Sequence, residues 1–176
     1  MITRICITCL CLVFLTQASA QDPVIRKFYN KYKHMENVEN IQLGGWVLKL
    51  AAKFADEDDE VKPFARHISR LRVMTMEQGN LVSKSEYNSL VRQLRNQRFE
   101  DLFNARDGGE LVQLLIREDG DRITDVLLLV NGADSFTMVS LEGALRFKDL
   151  RELDIDIEGG DHFKTLPADR DDLSKA

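Results

Sequence analysis

The spacing of apolar residues predicts alternating helices and strands in the first half of the chain. Asp22-Pro23 is a typical helix start, because Asp caps free backbone N–H groups and Pro presets φ, and one apolar helical face follows to about Lys33. Residues 38–43 form a short strand candidate that stops at Gly44-Gly45. A second helix then begins, with apolar positions at Val47, Leu50, Ala51 and Phe54.

The alternation continues through the middle of the chain. A helical period resumes at Val61 and extends to Ile68, with Pro63 tolerated in the first turn, and an alternating strand that ends near Glu77 comes next. Ser83 and Glu86 have the spacing of a capping box, which predicts a helix to about Asn96. The expected buried stripe of that helix is Tyr87, Leu90, Val91 and Leu94.

The second half of the chain reads as an antiparallel meander. Three turn signals of the kind that accept positive φ lie at Asp107-Gly108-Gly109, Asp119-Gly120 and Asn131-Gly132. They separate strands expected near 99–106, 110–118, 122–131 and 135–142. The chain therefore predicts an α+β fold, with an antiparallel sheet of about five or six strands packed with three or four helices.

Two strands of the meander are apolar at nearly every position, from Leu111 to Ile116 and from Val126 to Val130. Such strands need cover on both sheet faces, so we expect Leu115 and Leu127 to contact covering elements. Helices can cover one face of the sheet. The other face would be covered by the first helix, by the segment Phe147–Leu153 or by a second subunit.

The first twenty residues have the pattern of a secretory signal peptide. Arg4 precedes an apolar stretch that is too short to span a membrane, and Ala18-Ser19-Ala20 provides a small-residue cleavage site. We expect cleavage after Ala20 and a periplasmic or extracellular product without a membrane span. The expected organisation is a signal peptide at 1–20, one domain at 21–158 and a polar, disordered tail at 159–176.

Composition narrows the candidate chemistry. The 176 residues carry a formal net charge of −5, which argues against a nucleic-acid partner. All three cysteines lie in the signal peptide, so the domain is expected to form no disulfide and no thiolate metal site. The Ser135 and Ser140 hydroxyls lack a nucleophile motif, and Gly108-Gly109 leads into a strand rather than a phosphate-binding helix. We expect no cofactor.

The remaining candidate site residues have simpler structural interpretations. Asp56, Asp58 and Glu60 are weak metal candidates within a contiguous acidic run that has no turn glycine, and a helix cap explains the run better. The histidines His34, His67 and His162 lack ligand spacing. Five aromatic residues lie on helix faces, and core packing is the favoured interpretation for all of them: Phe28, Tyr29, Tyr32, Trp46 and Phe54. Alternatively, Tyr29 and Tyr32 are available to bind a partner.

Several separated motifs carry a family resemblance. They are Lys27-Phe28, the stretch from Leu50 to Glu60, Arg106 to Glu110, Leu128 to Gly132 and Lys148-Asp149-Leu150. Over roughly residues 24–153 the chain resembles a Bacteroidota exported family known as domain of unknown function 4252. The resemblance implies a small α+β domain in a Gram-negative envelope or secreted setting. That family has no established activity or catalytic residues to carry over.

The leading functional hypothesis is an exported, non-enzymatic binding or interaction module. A well-specified fold without an assembled catalytic motif favours this interpretation. The partner would be an envelope protein or a second copy of the chain. The alternative is a small hydrolase-like enzyme, whose site would gather sequence-distant titratable groups such as His67 in a pocket.

Overall fold

The structure is a computed structural model that describes residues 22–54 and 65–146. Three helices and six strands occupy these ranges. In chain order they are α1 (Pro23–Tyr32), β1 (Glu39–Gly44), α2 (Gly45–Phe54), β2 (Ile68–Met76), α3 (Lys84–Asn96), β3 (Glu100–Asp107), β4 (Glu110–Asp119), β5 (Arg122–Asn131) and β6 (Phe136–Leu145). The strands form one antiparallel sheet in the order β1-β2-β6-β5-β4-β3, which confirms the predicted α+β class.

The predicted meander is the continuous run β3 to β6. Each of its strands begins and ends within three residues of the predicted bounds. The turn between β4 and β5 is a two-residue hairpin in which Asp119 pairs with Arg122, and Gly120 adopts the positive φ of 65° that such a turn requires. The Asp-Gly turn signal therefore marked a hairpin, as expected.

Local capping explains where α1 and α3 begin. The Asp22 side chain accepts hydrogen bonds from the backbone N–H groups of Val24 and Ile25, at 2.8 and 3.2 Å. Ser83 and Glu86 form the predicted capping box at the start of α3. The four predicted stripe residues of α3 are all buried, as are Ile25, Tyr29 and Tyr32 of α1.

Both faces of the sheet are buried at its centre, as predicted. Leu115 and Leu127 have no exposed surface and pack in one cluster with α1 and α3. Leu114 and Leu128 are 2% and 3% exposed in a second cluster on the opposite face. The first helix lies on the same face as α3, so the option that it covers the second face is wrong. The segment Phe147–Leu153 lies outside the described residues.

Where β2 begins differs from the prediction. Ile68 was expected at the end of a helix, but it is the first residue of β2 and pairs with Gly143 of β6. Long-range strand pairing here overrides the local helical period. The predicted signal peptide at 1–20, the acidic run and the predicted tail at 159–176 lie outside the described residues.

Candidate functional site

A group of buried charged residues occupies one end of the sheet face that α1 and α3 cover. Arg72 is only 1% exposed, although its neighbours on the same side of β2 are the buried Met74 and Met76. Its guanidinium donates to Glu142 at 2.6 Å, and Arg70 donates to the other oxygen of that carboxylate at 2.7 Å. The Gln42 side chain of β1 accepts a further hydrogen bond from Arg72, at 3.2 Å. The Glu142 carboxylate therefore binds two arginine side chains, one through each oxygen.

Arg117 forms the second half of this charged group. Its guanidinium lies 2.8 Å from the Asp22 carboxylate, which also caps α1, and 2.7 Å from the Asp125 carboxylate. The Thr124 hydroxyl donates to the same Asp125 oxygen at 2.7 Å. One side chain of β4 therefore joins the start of α1 to β5.

Asp125 and Glu142 lie directly opposite each other in the β5–β6 register. Burial raises the pKa of Asp125, and the nearby Glu142 charge adds to the increase, while the hydrogen bond from Thr124 and the charge of Arg117 oppose it. The two carboxylates therefore differ in environment. Burial favours the protonated form of Asp125, whereas the Glu142 carboxylate accepts hydrogen bonds from two guanidinium groups.

A cavity of about 670 Å³ lies beside this charged group. The end of α3 and the ends of β4, β5 and β6 form its wall, to which Arg98, Arg117, Thr124, Asp125 and Glu142 contribute. Cationic and anionic side chains both line it. The cavity is suited to a small polar molecule that presents both hydrogen-bond donors and acceptors.

Sequence reasoning missed this group. The strand period does carry a signal for it. Ser140 and Glu142 follow Phe136 and Met138 at every second position of β6, so the period places their polar side chains on the same inward face. The Ser140 hydroxyl is buried and has no hydrogen-bond partner among the described residues, so no described side chain is placed to activate it as a nucleophile.

The other predicted candidates are not brought together. His34 and His67 are both exposed, and Ser135 donates to Glu110 at 2.8 Å. In the described ranges no group of three or more His, Cys, Asp or Glu side chains could hold a metal. The acidic run that contains Asp56, Asp58 and Glu60, like His162, lies outside those ranges.

A second notable feature is an exposed apolar surface on α2 and β1. Trp46, Leu50 and Phe54 follow one another at four-residue spacing on α2 and are 74%, 48% and 80% exposed. Ile41 of β1 is 56% exposed. These four residues are called the α2–β1 surface below. The prediction that Trp46 and Phe54 pack in the core is wrong.

The rotation of α2 explains this exposure. Leu48 packs in the second core cluster and Ala52 is buried, so the opposite side of the helix faces outward. At the start of α2, a Cβ on Gly45 would come within 2.8 Å of the carbonyl oxygen of Ile68, which shows how closely the two backbones approach. Tyr29 and Tyr32 are instead 3% and 2% exposed, which confirms core packing for them.

Helix and strand contribute to one continuous surface. The Trp46 ring lies next to Gly44, where an added Cβ would be 3.4 Å from Trp46 Cδ1. Ile41 pairs with Val73, which lies two residues along β2 from Leu71. Leu71 and Leu48 of α2 pack against the same core cluster. Ile41 and α2 therefore share one side of the sheet.

None of the helices in the described ranges is long and apolar enough to cross a membrane. Comparison with curated proteins and with solved structures found no match. The sequence profile of one family matches residues 32–153, from the last residue of α1 through β6 and beyond, and so includes both the α2–β1 surface and most of the charged group. The chain belongs to the family described as domain of unknown function (DUF4252).

Proposed function

We propose that the protein is an exported, non-enzymatic binding module whose α2–β1 surface contacts a protein partner. The observation that carries this proposal is the exposure of Trp46 and Phe54 on the same outer stripe of α2, at 74% and 80%. Single exposed apolar residues are ordinary on protein surfaces, but a contiguous group with two large aromatic rings is typical of an interaction site.

The chemistry of α2 supports a protein partner. Large aromatic side chains provide much of the binding energy at interfaces, and charged residues form the rim. Lys49 and Lys53 are the only charged residues of α2, and both are exposed. Leu48 and Ala52 hold the helix against the sheet, so little conformational entropy is lost when a partner binds.

Export to the envelope is part of the proposal. The pattern of residues 1–20 supports it, and a periplasmic or secreted location fits an interaction module in that compartment. Intact-mass measurement of the exported protein should give a chain that begins at Gln21. A product that retains Cys9 or Cys11 with an attached lipid would contradict cleavage after Ala20.

Site-specific photo-crosslinking in the source cells tests the surface. A photoreactive amino acid at Leu50 should give a discrete covalent adduct, because that position lies between Trp46 and Phe54. The same substitution at Leu81 is a matched control, since the two leucines are 48% and 45% exposed. No adduct from Leu50, or the same adducts from both positions, would overturn the proposed surface.

The carboxylate pair supports a second candidate function, hydrolysis. With its raised pKa, Asp125 can carry a proton for a leaving group, while the Glu142 carboxylate can act as base or nucleophile. This candidate ranks second because guanidinium groups already bind both carboxylates. A panel of chromogenic esters, glycosides and phosphate esters tests it: turnover that disappears in a folded Asp125→Asn variant would favour the enzyme.

A further inference from the structure

The two edges of the sheet are built differently. Among the described strands, β1 and β3 each have a single partner. The β3 edge contains Glu100, Asp101 and Arg106, and its register shifts between Asp101 and Phe103. Charged residues and irregular register are the usual means by which edge strands avoid pairing with other chains.

The β1 edge lacks these features. Its six residues pair with β2 in an unbroken register, they include no proline, and Glu39 is the only charged residue among them. The exposed apolar α2–β1 surface adjoins this edge. An unprotected edge strand beside exposed aromatic rings is suited to pairing with another strand.

We propose that the α2–β1 surface is a two-fold interface with a second copy of this chain, in which β1 pairs antiparallel with its own counterpart. This inference rests on the proposed function, because it assigns a partner to the same surface. The combined sheet would have twelve strands, two sets of the six described here. Each copy contributes the same residues, as a two-fold interface requires.

Symmetry makes the arrangement self-consistent. A two-fold axis perpendicular to the sheet keeps corresponding faces on the same side, so α2 and its counterpart lie on one face and run antiparallel. The outward residues of the two α2 helices therefore lie on the same side of the combined sheet.

The available area suits a dimer of ordinary size. The four side chains of the α2–β1 surface expose on the order of 500 Å² of mainly apolar area, since a fully buried aromatic side chain accounts for about 150–250 Å². A stable interface buries about 800 Å² from each partner. The rest of the buried area would come from the paired β1 backbones and from the apolar stems of the α2 lysines.

A lipid surface is the less favoured occupant. Trp and Lys residues on one helix are also found in helices that bind anionic membranes. Here the acidic run directly after α2 and the net charge of −5 would oppose such binding. A strand edge also gains nothing from a lipid surface, because lipid tails offer no backbone hydrogen bonds.

Disulfide scanning tests the strand pairing directly. All three native cysteines lie within the first eleven residues, so the processed protein has no thiol of its own. Single substitutions Ile41→Cys, Gln42→Cys and Leu43→Cys place one thiol along β1, with Leu81→Cys as the control. Only the residue on the two-fold axis lies opposite its own counterpart, at a Cα separation that suits a disulfide. Under mild oxidation, covalent dimer should therefore form mainly at one β1 position.

Sedimentation equilibrium of the exported protein gives an independent measurement. The wild-type protein should be a dimer at micromolar concentration, and the double variant Trp46→Ser/Phe54→Ser should raise the dimer Kd by about thirtyfold or more. Leu81→Ser should leave the Kd within about twofold of the wild type, since Leu81 is not part of the α2–β1 surface. Circular dichroism of each variant confirms that the fold is retained.

The outcomes separate this inference from the proposed function. A protein concentration of 100 μM is about a hundredfold the expected Kd. If the wild-type protein is still a monomer at this concentration, or if Leu81→Cys forms as much covalent dimer as the β1 variants, the dimer is overturned. If Leu50 then crosslinks to a different protein, the binding module stands with another partner. If the monomer instead sediments with phosphatidylglycerol vesicles and Trp46→Ser abolishes this, the occupant is a membrane. A monomer without any adduct from Leu50 overturns both proposals.

Discussion

At Gly143, β6 passes so close to the residues before β2 that a side chain does not fit. A Cβ at this position would overlap with the carbonyl oxygen of His67, which accepts a hydrogen bond from the backbone N–H of Ala144 at 3.0 Å. The neighbouring atom belongs to the backbone, so it cannot rotate away as a side chain would. The glycine is therefore required by packing rather than by backbone conformation.

We expect Gly143→Ala to lower the free energy of unfolding by about 1–3 kcal/mol, the usual effect of overpacking. Urea denaturation measures it. Gly44→Ala is the control, because the nearest atom to an added Cβ is 3.4 Å away there, and the change should stay within about 1 kcal/mol. Equal effects of the two substitutions would contradict the close approach at Gly143.

Tyr87 gives the fold a pH dependence in the alkaline range. Its hydroxyl donates to Gln113 Oε1 at 2.8 Å within the core. Burial raises the pKa of Tyr87 to about 12, and the nearby Asp101 charge adds to the increase while Arg95 opposes it. Between pH 10 and 12 the unfolded chain loses this proton while the folded chain keeps it, so stability falls as the pH rises through that window.

We expect the wild type to lose up to about 2 kcal/mol more stability than Tyr87→Phe between pH 9 and pH 11.5. Urea denaturation at both pH values measures the difference. Burial also raises the pKa of Tyr29. Because both proteins contain Tyr29, its contribution cancels in the comparison. Parallel pH profiles for the two proteins would show that Tyr87 titrates normally.

Among the elements, the β4–β5 hairpin is the centre of the core. Its two strands place alternate residues in the two clusters on either side of the sheet. This is why their sequences are apolar without alternation, as is typical of strands that are covered on both faces. The predicted hairpin and its burial followed from this composition and from the Asp-Gly turn.

Truncation of Leu115 or Leu127 to Ala should cost about 2–5 kcal/mol, because each side chain is fully buried and leaves a cavity. Thermal and urea denaturation measure the loss. Leu81→Ala, at a site that is 45% exposed, should cost far less. A nearly neutral Leu115→Ala or Leu127→Ala in a folded protein would mean that the core can collapse around that position.

At the scale of the whole molecule, Arg117 connects parts of the chain that are distant in sequence. It binds Asp22, which is 95 residues away and caps α1, together with Asp125 of β5. The guanidinium also lies over the Phe99 ring, 4.9 Å from its centroid. A buried pair of this kind is costly to break, because the two buried carboxylates lose the cation that compensates them.

We expect Arg117→Met to destabilise the protein by roughly 3–5 kcal/mol. Adding Asp125→Asn should recover part of this loss, because the second substitution removes one uncompensated charge. Arg95→Met is the control: its pair with Asp101 is exposed, and the cost should be about 1 kcal/mol or less. Additive effects of Arg117→Met and Asp125→Asn would show that the two side chains act independently.

Helix starts, hairpin turns and family membership could be predicted from the amino acids alone. Helix caps at Asp22 and Ser83 and the turn glycines act within a few residues, so they are readable along the chain. The rest depends on which distant segments meet. Arg72 and Glu142 are 70 residues apart, and their contact requires β2 to pair with β6.

The orientation of α2 was likewise decided by the tertiary structure. A helix that is apolar on nearly all sides has no local signal for which side faces the core. Gly45 lies against the backbone of Ile68, Leu48 packs inward, and Trp46 and Phe54 remain outside. The surface that carries the proposed function therefore depends on how α2 packs against the sheet, which periodicity along the chain does not encode.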